Sequence, residues 1–264
     1  MLVNVSGDFH GMLSGGCLEG DLAERSKAII ESDVAGVVSY DLRADDDVFG
    51  LGVGCEGMLR ILIQPLSASA GYEPFASLLS TLENSRSADL SLADLSLADL
   101  GEPGSTRILA PLRLLILGAG MDAEPLIQFA AALGWKVSVS DHRPASVARL
   151  ESSPAASVAC VPYEDVASHF DLSDFDAAII MSHNLQADRA YLRTLAGYAT
   201  PYVGLLGPPH RRDRLLTEIG DDAKKLGSRL HAPVGKQIGG RGPAAIALEI
   251  AVELQSIFSK VDQS

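Results

Sequence analysis

Two cysteines sit in glycine-dense loops, and sulfur placed that way is the first chemistry the chain offers. Cys17 lies in Ser14-Gly15-Gly16-Cys17-Leu18-Glu19-Gly20, just before a stretch with helical spacing. At a helix N-terminus the dipole lowers a thiol's pKa and favours thiolate, and flanking glycines let the backbone approach a ligand closely. Cys55, in Gly54-Cys55-Glu56-Gly57, is a second loop thiol. The two can face one pocket and bind or shuttle sulfur or a soft metal. The alternative for each is a small buried hydrophobe. Cys160, inside an apolar strand pattern, is expected in the core.

A second constellation runs from Leu112 to Asp141. The apolar run Leu114–Leu117 breaks into Gly118-Ala119-Gly120, a helical pattern follows, and a strand from Lys136 ends on Asp141. The glycines read G-x-G-x-x-A, with Ala123 as the small third residue. Asp141 stands 21 positions beyond Gly120 (141 − 120), where an acid can accept hydrogen bonds from a ribose. The pattern predicts a Rossmann-like unit binding NAD or NADP. Arg143 leaves the choice between them open, because an arginine there can meet a 2′-phosphate. The alternative is a flavodoxin-like unit whose glycines only make a tight turn. His183 follows another apolar strand directly; it either touches a ligand in the same crevice, or caps the next helix or bonds the backbone. A third glycine-rich stretch, His231–Arg241, precedes the last helix. It is either an anion site using Lys236 and Arg241 or an ordinary tight loop. Arg211, Arg212 and Arg214 read as a solvated helix face.

The elements that must hold these groups follow from periodicity. Residues 1–66 read as a small α+β module, with strands at Met1–Val5, Gly36–Asp41 and Leu59–Ile63, a short strand near Met12–Ser14, and a helix over Leu18–Ile30. Residues 67–110 read as a linker with a helix at Tyr72–Leu82. It contains SADL SLADL SLADL (Ser87–Leu100), whose five-residue period fits neither helix nor strand. Residues 111–264 alternate strand and helix, which predicts a mostly parallel sheet covered on both faces. Such sheets bind ligands beyond the strand carboxyl ends, at the switch point.

Composition narrows the partners. With 264 residues and 47% hydrophobic content the chain can bury one large or two smaller cores. Its formal net charge of −13 argues against nucleic acid and anionic membranes. No apolar run approaches the roughly 20 residues of a membrane helix, and no signal peptide is visible. Three cysteines without CxxC make neither a disulfide framework nor a zinc site, so a cytoplasmic protein with reduced thiols is expected.

Taken together, SGGCLEGDLAE (14–24), GLGVGCEGMLRILIQPL (50–66), LLILGAG, MSHNLQADRAYL (181–192), YVGLLGPPHRR (202–212) and HAPVGKQIGGRGPAAIALEIAVEL (231–254) resemble the XdhC/CoxI family. Its members are maturation factors of molybdenum hydroxylases such as xanthine dehydrogenase and carbon monoxide dehydrogenase. The resemblance implies an XdhC/CoxI domain followed by a Rossmann domain, and binding of molybdenum cofactor (molybdopterin). It also implies protection of the cofactor during sulfuration and delivery to an apo-enzyme, with a cysteine desulfurase as a further partner. Cys17 then matches the family's GGCxE cysteine, in contact with molybdenum or with sulfur, and Gly15, Gly16, Glu19 and Cys55 surround the cofactor. Family members usually carry a helix and strand before the stretch resembling MLVNVSGD, and many read Cys-Gly-Gly where this chain has Cys55-Glu56-Gly57. A short first domain leaves apolar surface to cover, so a homodimer is expected. No catalytic triad, HExxH or paired-acid motif is visible, which suits a cofactor chaperone without turnover. The competing reading is an NAD(P)-dependent oxidoreductase with dinucleotide on Gly118, Gly120 and Asp141, and with Cys17 or His183 doing chemistry.

Overall fold

The computed structural model describes residues 1–41, 57–91 and 105–259, and the chain divides into two units, Met1–Ala110 and Pro111–Ser264. In the first unit, β1 (Leu2–Val3) pairs antiparallel with β2 (Phe9–His10). The turn between them is tied by Asn4, whose Oδ1 accepts from the N–H groups of Ser6 and Asp8. Helix α1 (Glu19–Ser32) buries Leu22, Ala23 and Ser26 on one face, at the i, i+4 spacing that aligns side chains along a helix. Strand β3 (Gly36–Asp41) pairs antiparallel with β4 (Met58–Ile63). A small core of Leu18, Leu22 and Tyr40 forms against Met1, Val38, Ile61 and Ile63.

No strand forms at Met12–Ser14, because the N–H groups of Leu13 and Ser14 donate to the Glu19 carboxylate instead of to a ladder. Further on, α2 (Phe75–Asn84) leads into β5 (Ser87–Ser91), antiparallel to β6 (Ser105–Leu109). The repeated block therefore begins as a strand, and what makes it one is a distant partner, not its own period.

The second unit is a six-stranded parallel sheet with helices on both faces. Its elements are β7 (Arg113–Leu117), α3 (Ala123–Ala132), β8 (Lys136–Asp141), α4 (Pro144–Ala148), β9 (Ser157–Cys160), α5 (Val166–His169) and β10 (Ala177–Ile180). After them come α6 (Leu185–Ala196), β11 (Tyr202–Leu205), α7 (Pro209–Ile219), α8 (Asp221–Leu226), β12 (Leu230–His231) and α9 (Pro243–Phe258). The spatial order is β12-β11-β10-β7-β8-β9, and every neighbouring pair is parallel.

Alternation along β7 divides the core. Leu114 and Ile116 face the layer that holds Leu126, Ile127 and Ala130 of α3 and Ile250 and Leu254 of α9. Leu115 and Leu117 face Tyr191, Leu192 and Leu195 of α6 and Leu215 and Ile219 of α7. All four β7 side chains are fully buried, and burying one such side chain stabilises by about 1.5–3 kcal/mol. The chain leaves β7 in one direction through β8 and β9 and in the other through β10, β11 and β12. The topological switch point therefore lies between β7 and β10, beyond Leu117 and Ile180.

Cys160, expected in the core, is exposed, because β9 is an outer strand of the sheet and Cys160 is its last residue. Among the described residues no helix is long and apolar enough to cross a membrane.

Candidate functional site

The loop before α1 is built around one carboxylate. Glu19 Oε1 accepts from Leu13 N (2.8 Å) and Ser14 N (2.7 Å), while Oε2 accepts from Ser14 Oγ (2.7 Å), Gly16 N (2.9 Å) and Leu18 N (3.2 Å). Glu19 is buried, yet the backbone N–H and the hydroxyl of Ser14 and the N–H of Leu13 hold its carboxyl well below the usual carboxylate range. Glu19, expected among the residues around the cofactor, gathers the loop with its carboxylate oxygens. With Gly16 N and Leu18 N drawn toward Glu19, the residue between them is left outside, and Cys17 is exposed. Gly15 and Gly16 take left-handed backbone (φ 78° and 112°), and an added Cβ at either would meet no atom within 4 Å. Open space thus lies over the two glycines before the thiol, and Met12 and Leu13 of the same loop are exposed. Cys55 lies outside the described residues.

At the switch point the glycine turn is held from several sides. Gly118 N donates to Ser140 O, Ala119 N to Asp141 Oδ2 (2.7 Å), and Arg149 Nη2 to Ala119 O (2.7 Å). Gly118 has φ 125°, and a Cβ there would stand 2.5 Å from Ser182 Cα, so this glycine is needed for the close crossing of two backbones. Gly120 faces a side chain instead: a Cβ there would meet His183 Cδ2 at 3.3 Å.

Asp141 is fully buried, and Arg143 binds it with its backbone N (2.8 Å), Nε (2.9 Å) and Nη2 (2.7 Å). Burial alone would raise the Asp141 carboxyl; the hydrogen bonds from Arg143 and from Ala119 N outweigh it and leave the group below its ordinary value. His183 neither caps α6 nor bonds the backbone. Asn184 is the cap, its Oδ1 accepting from Gln186 N and Ala187 N. His183 has left-handed backbone (φ 58°), unusual outside glycine, and its Nε2 lies 2.7 Å from Asp122 Oδ2.

Sequence reasoning passed over a neighbouring network. Buried Asp188 accepts from Ser182 Oγ and from Arg211 Nη2 (2.6 Å), which joins the β10 loop to α6 and α7. Asp122 and Asp188 both look like ordinary acids at a helix start, and Arg211, expected on a solvated helix face, is instead mostly covered and paired with buried Asp188. The third glycine stretch is held by carboxylates of α9. Glu249 Oε1 accepts from Ile238 N and Gly239 N, and Glu253 Oε2 from Gly235 N.

The family described as XdhC Rossmann domain matches residues 114–254, and the one described as XdhC and CoxI family matches residues 1–41. The chain belongs to the XdhC and CoxI family. A Bacillus subtilis relative, named as a probable subunit of xanthine dehydrogenase, is 30% identical over 289 residues, covering 96% of this chain and 86% of the relative. The Escherichia coli protein named molybdenum cofactor insertion chaperone PaoD is 22% identical, covering 97% and 77%. A crystal structure described as a xanthine dehydrogenase from Bacillus halodurans superposes with a TM-score of 0.74 at 27% identity, covering 95% of this chain and 83% of that one. The XdhC Rossmann match begins on β7 and ends within α9, so it spans the sheet and both helical layers.

Proposed function

We propose that this XdhC/CoxI member is a maturation factor. It binds molybdenum cofactor at the Cys17 loop, shields it while sulfur is installed, and passes it to an apo molybdenum hydroxylase. The observation that carries the reading is the exposed Cys17 thiol, flanked by two glycines with open space above them and fixed from below by Glu19. The names of the Bacillus subtilis and Escherichia coli relatives support a maturation role.

The residues present fit such a cargo. A thiolate is a soft donor suited to molybdenum or to a sulfur atom in transit, and the positive-φ glycines let a polar ring system lie close to the backbone. In this reading Glu19 positions Cys17, Gly15 and Gly16 admit the cargo, and Met12 and Leu13 offer apolar contact to a partner. The partners are the apo-enzyme and a sulfur donor of the cysteine desulfurase class. A second copy of the chain covers apolar surface of the first unit.

The test is uptake of molybdenum cofactor by purified protein, wild type against Cys17→Ala, with NAD and NADP turnover assayed in parallel. The wild type should retain cofactor, and Cys17→Ala should lose at least about tenfold in affinity, the scale of one strong ligand contact. Equal retention by both proteins would remove Cys17 from the site. Turnover of nicotinamide without cofactor uptake would replace the chaperone with an oxidoreductase.

A further inference from the structure

The glycine turn at the switch point ends beside an acid that has no lone pair left to offer. A carboxylate has about four acceptor positions. Those of Asp141 take Arg143 N and Nε on Oδ1 and Ala119 N and Arg143 Nη2 on Oδ2, and the side chain is 0% exposed. A ribose diol, which must donate to this acid, finds no acceptor. Arg143 stands the other way round. Its side chain is 43% exposed, and of the five N–H bonds of a guanidinium only the Nε–H and one Nη2–H are engaged by Asp141. The remaining N–H bonds form an outward edge of the kind that takes a phosphate in a two-pronged grip. Arg149, exposed and bonded to Ala119 O, adds a second guanidinium to the same turn.

We propose that the Rossmann crevice is a second binding site, distinct from the Cys17 loop, for a nucleotide that carries a phosphate on its adenosine ribose. Arg143 is the residue that determines specificity, and Asp141 is its anchor. The bridging phosphates of the nucleotide sit at the α3 N-terminus, beside Gly120. What lies over Gly120 is a side chain, His183, 56% exposed and held by Asp122, whereas Gly118 is closed by backbone. In a chain of net charge −13, a local guanidinium edge is what lets so anionic a ligand approach.

The experiment is calorimetric titration of the full chain with adenosine 2′,5′-bisphosphate and with adenosine 5′-monophosphate, which differ only in the 2′-phosphate. The bisphosphate should bind at least about tenfold more tightly, the scale of one charge-assisted contact, and the advantage should shrink as salt is raised. Arg143→Leu alone would strand the buried Asp141 charge, so the variant combines Arg143→Leu with Asp141→Asn. It should bind both ligands alike. Equal affinities in the wild type, preference for the monophosphate, or binding of neither would overturn the proposal. Cys17→Ala should bind the bisphosphate as the wild type does, so a failure of the cofactor reading leaves this result standing.

Discussion

Glu19, Asp141 and Glu249 each tie a glycine-containing loop by accepting its backbone N–H groups. Residue types announced the glycine loops; they did not announce which carboxylates of the chain hold them. Spacing put Asp141 at the right distance from Gly120, but the direction of its carboxylate depends on Arg143, two residues on, and on Ala119 N. The same arrangement sets a pH dependence. Glu19 and Asp141 are held below their ordinary values in the fold, so the unfolded chain binds more protons than the folded one in acid. Their contribution is complete above the unfolded carboxylate values, about pH 4, and is lost as pH falls through the lower folded values. Urea midpoints should therefore be level from about pH 7 to 5 and fall below about pH 4. In Glu19→Gln the part of that fall owed to Glu19 should disappear, while the part owed to Asp21, held low by Arg25 and Tyr40, remains. A wild-type midpoint unchanged at pH 3 would count against this account.

Among elements, the long periodic ones were legible. Apolar spacing located α1 and the strands β3, β4, β7 and β8 to within a few residues. The sixth strand, Leu230–His231, was not legible, because two residues carry no period and pair only with Val203 and Gly204. β5 was hidden by a repeat whose period belongs to no element, and β9 read as core because a sequence does not say which strand lies outermost. The crossing of the β7 and β10 loops has a direct test. Gly118→Ala sets a Cβ against Ser182 Cα and Met181 O in left-handed backbone, and should cost about 3 kcal/mol or more in chemical denaturation. Gly134→Ala, also at positive φ (74°) but with nothing within 4 Å, should cost only about 1 kcal/mol. Similar losses in the two variants would show that the crossing is looser than the geometry states.

At the scale of the molecule the two units differ in what they bury. Among the described residues the buried hydrophobic side chains of the first unit are Leu18, Leu22, Ala23 and Tyr40, while both large clusters belong to the second. Calorimetry of the full chain should then show two transitions, the first unit melting at the lower temperature. A single transition at one temperature would mean that the units unfold together. The strand order also has a consequence for synthesis. Leu114 of β7 meets Val137 of β8 after 23 residues (137 − 114), but Ala177 of β10 only after 63 (177 − 114). As the chain leaves the ribosome, β7, one of the two central strands of the finished sheet, spends that interval as an edge, its N–H and C=O groups unpaired on one side. Such an edge recruits other chains. Slow translation between Asp141 and Ala177 should lengthen its life, and crowded synthesis should turn nascent β7 toward a neighbour's strand before its own arrives.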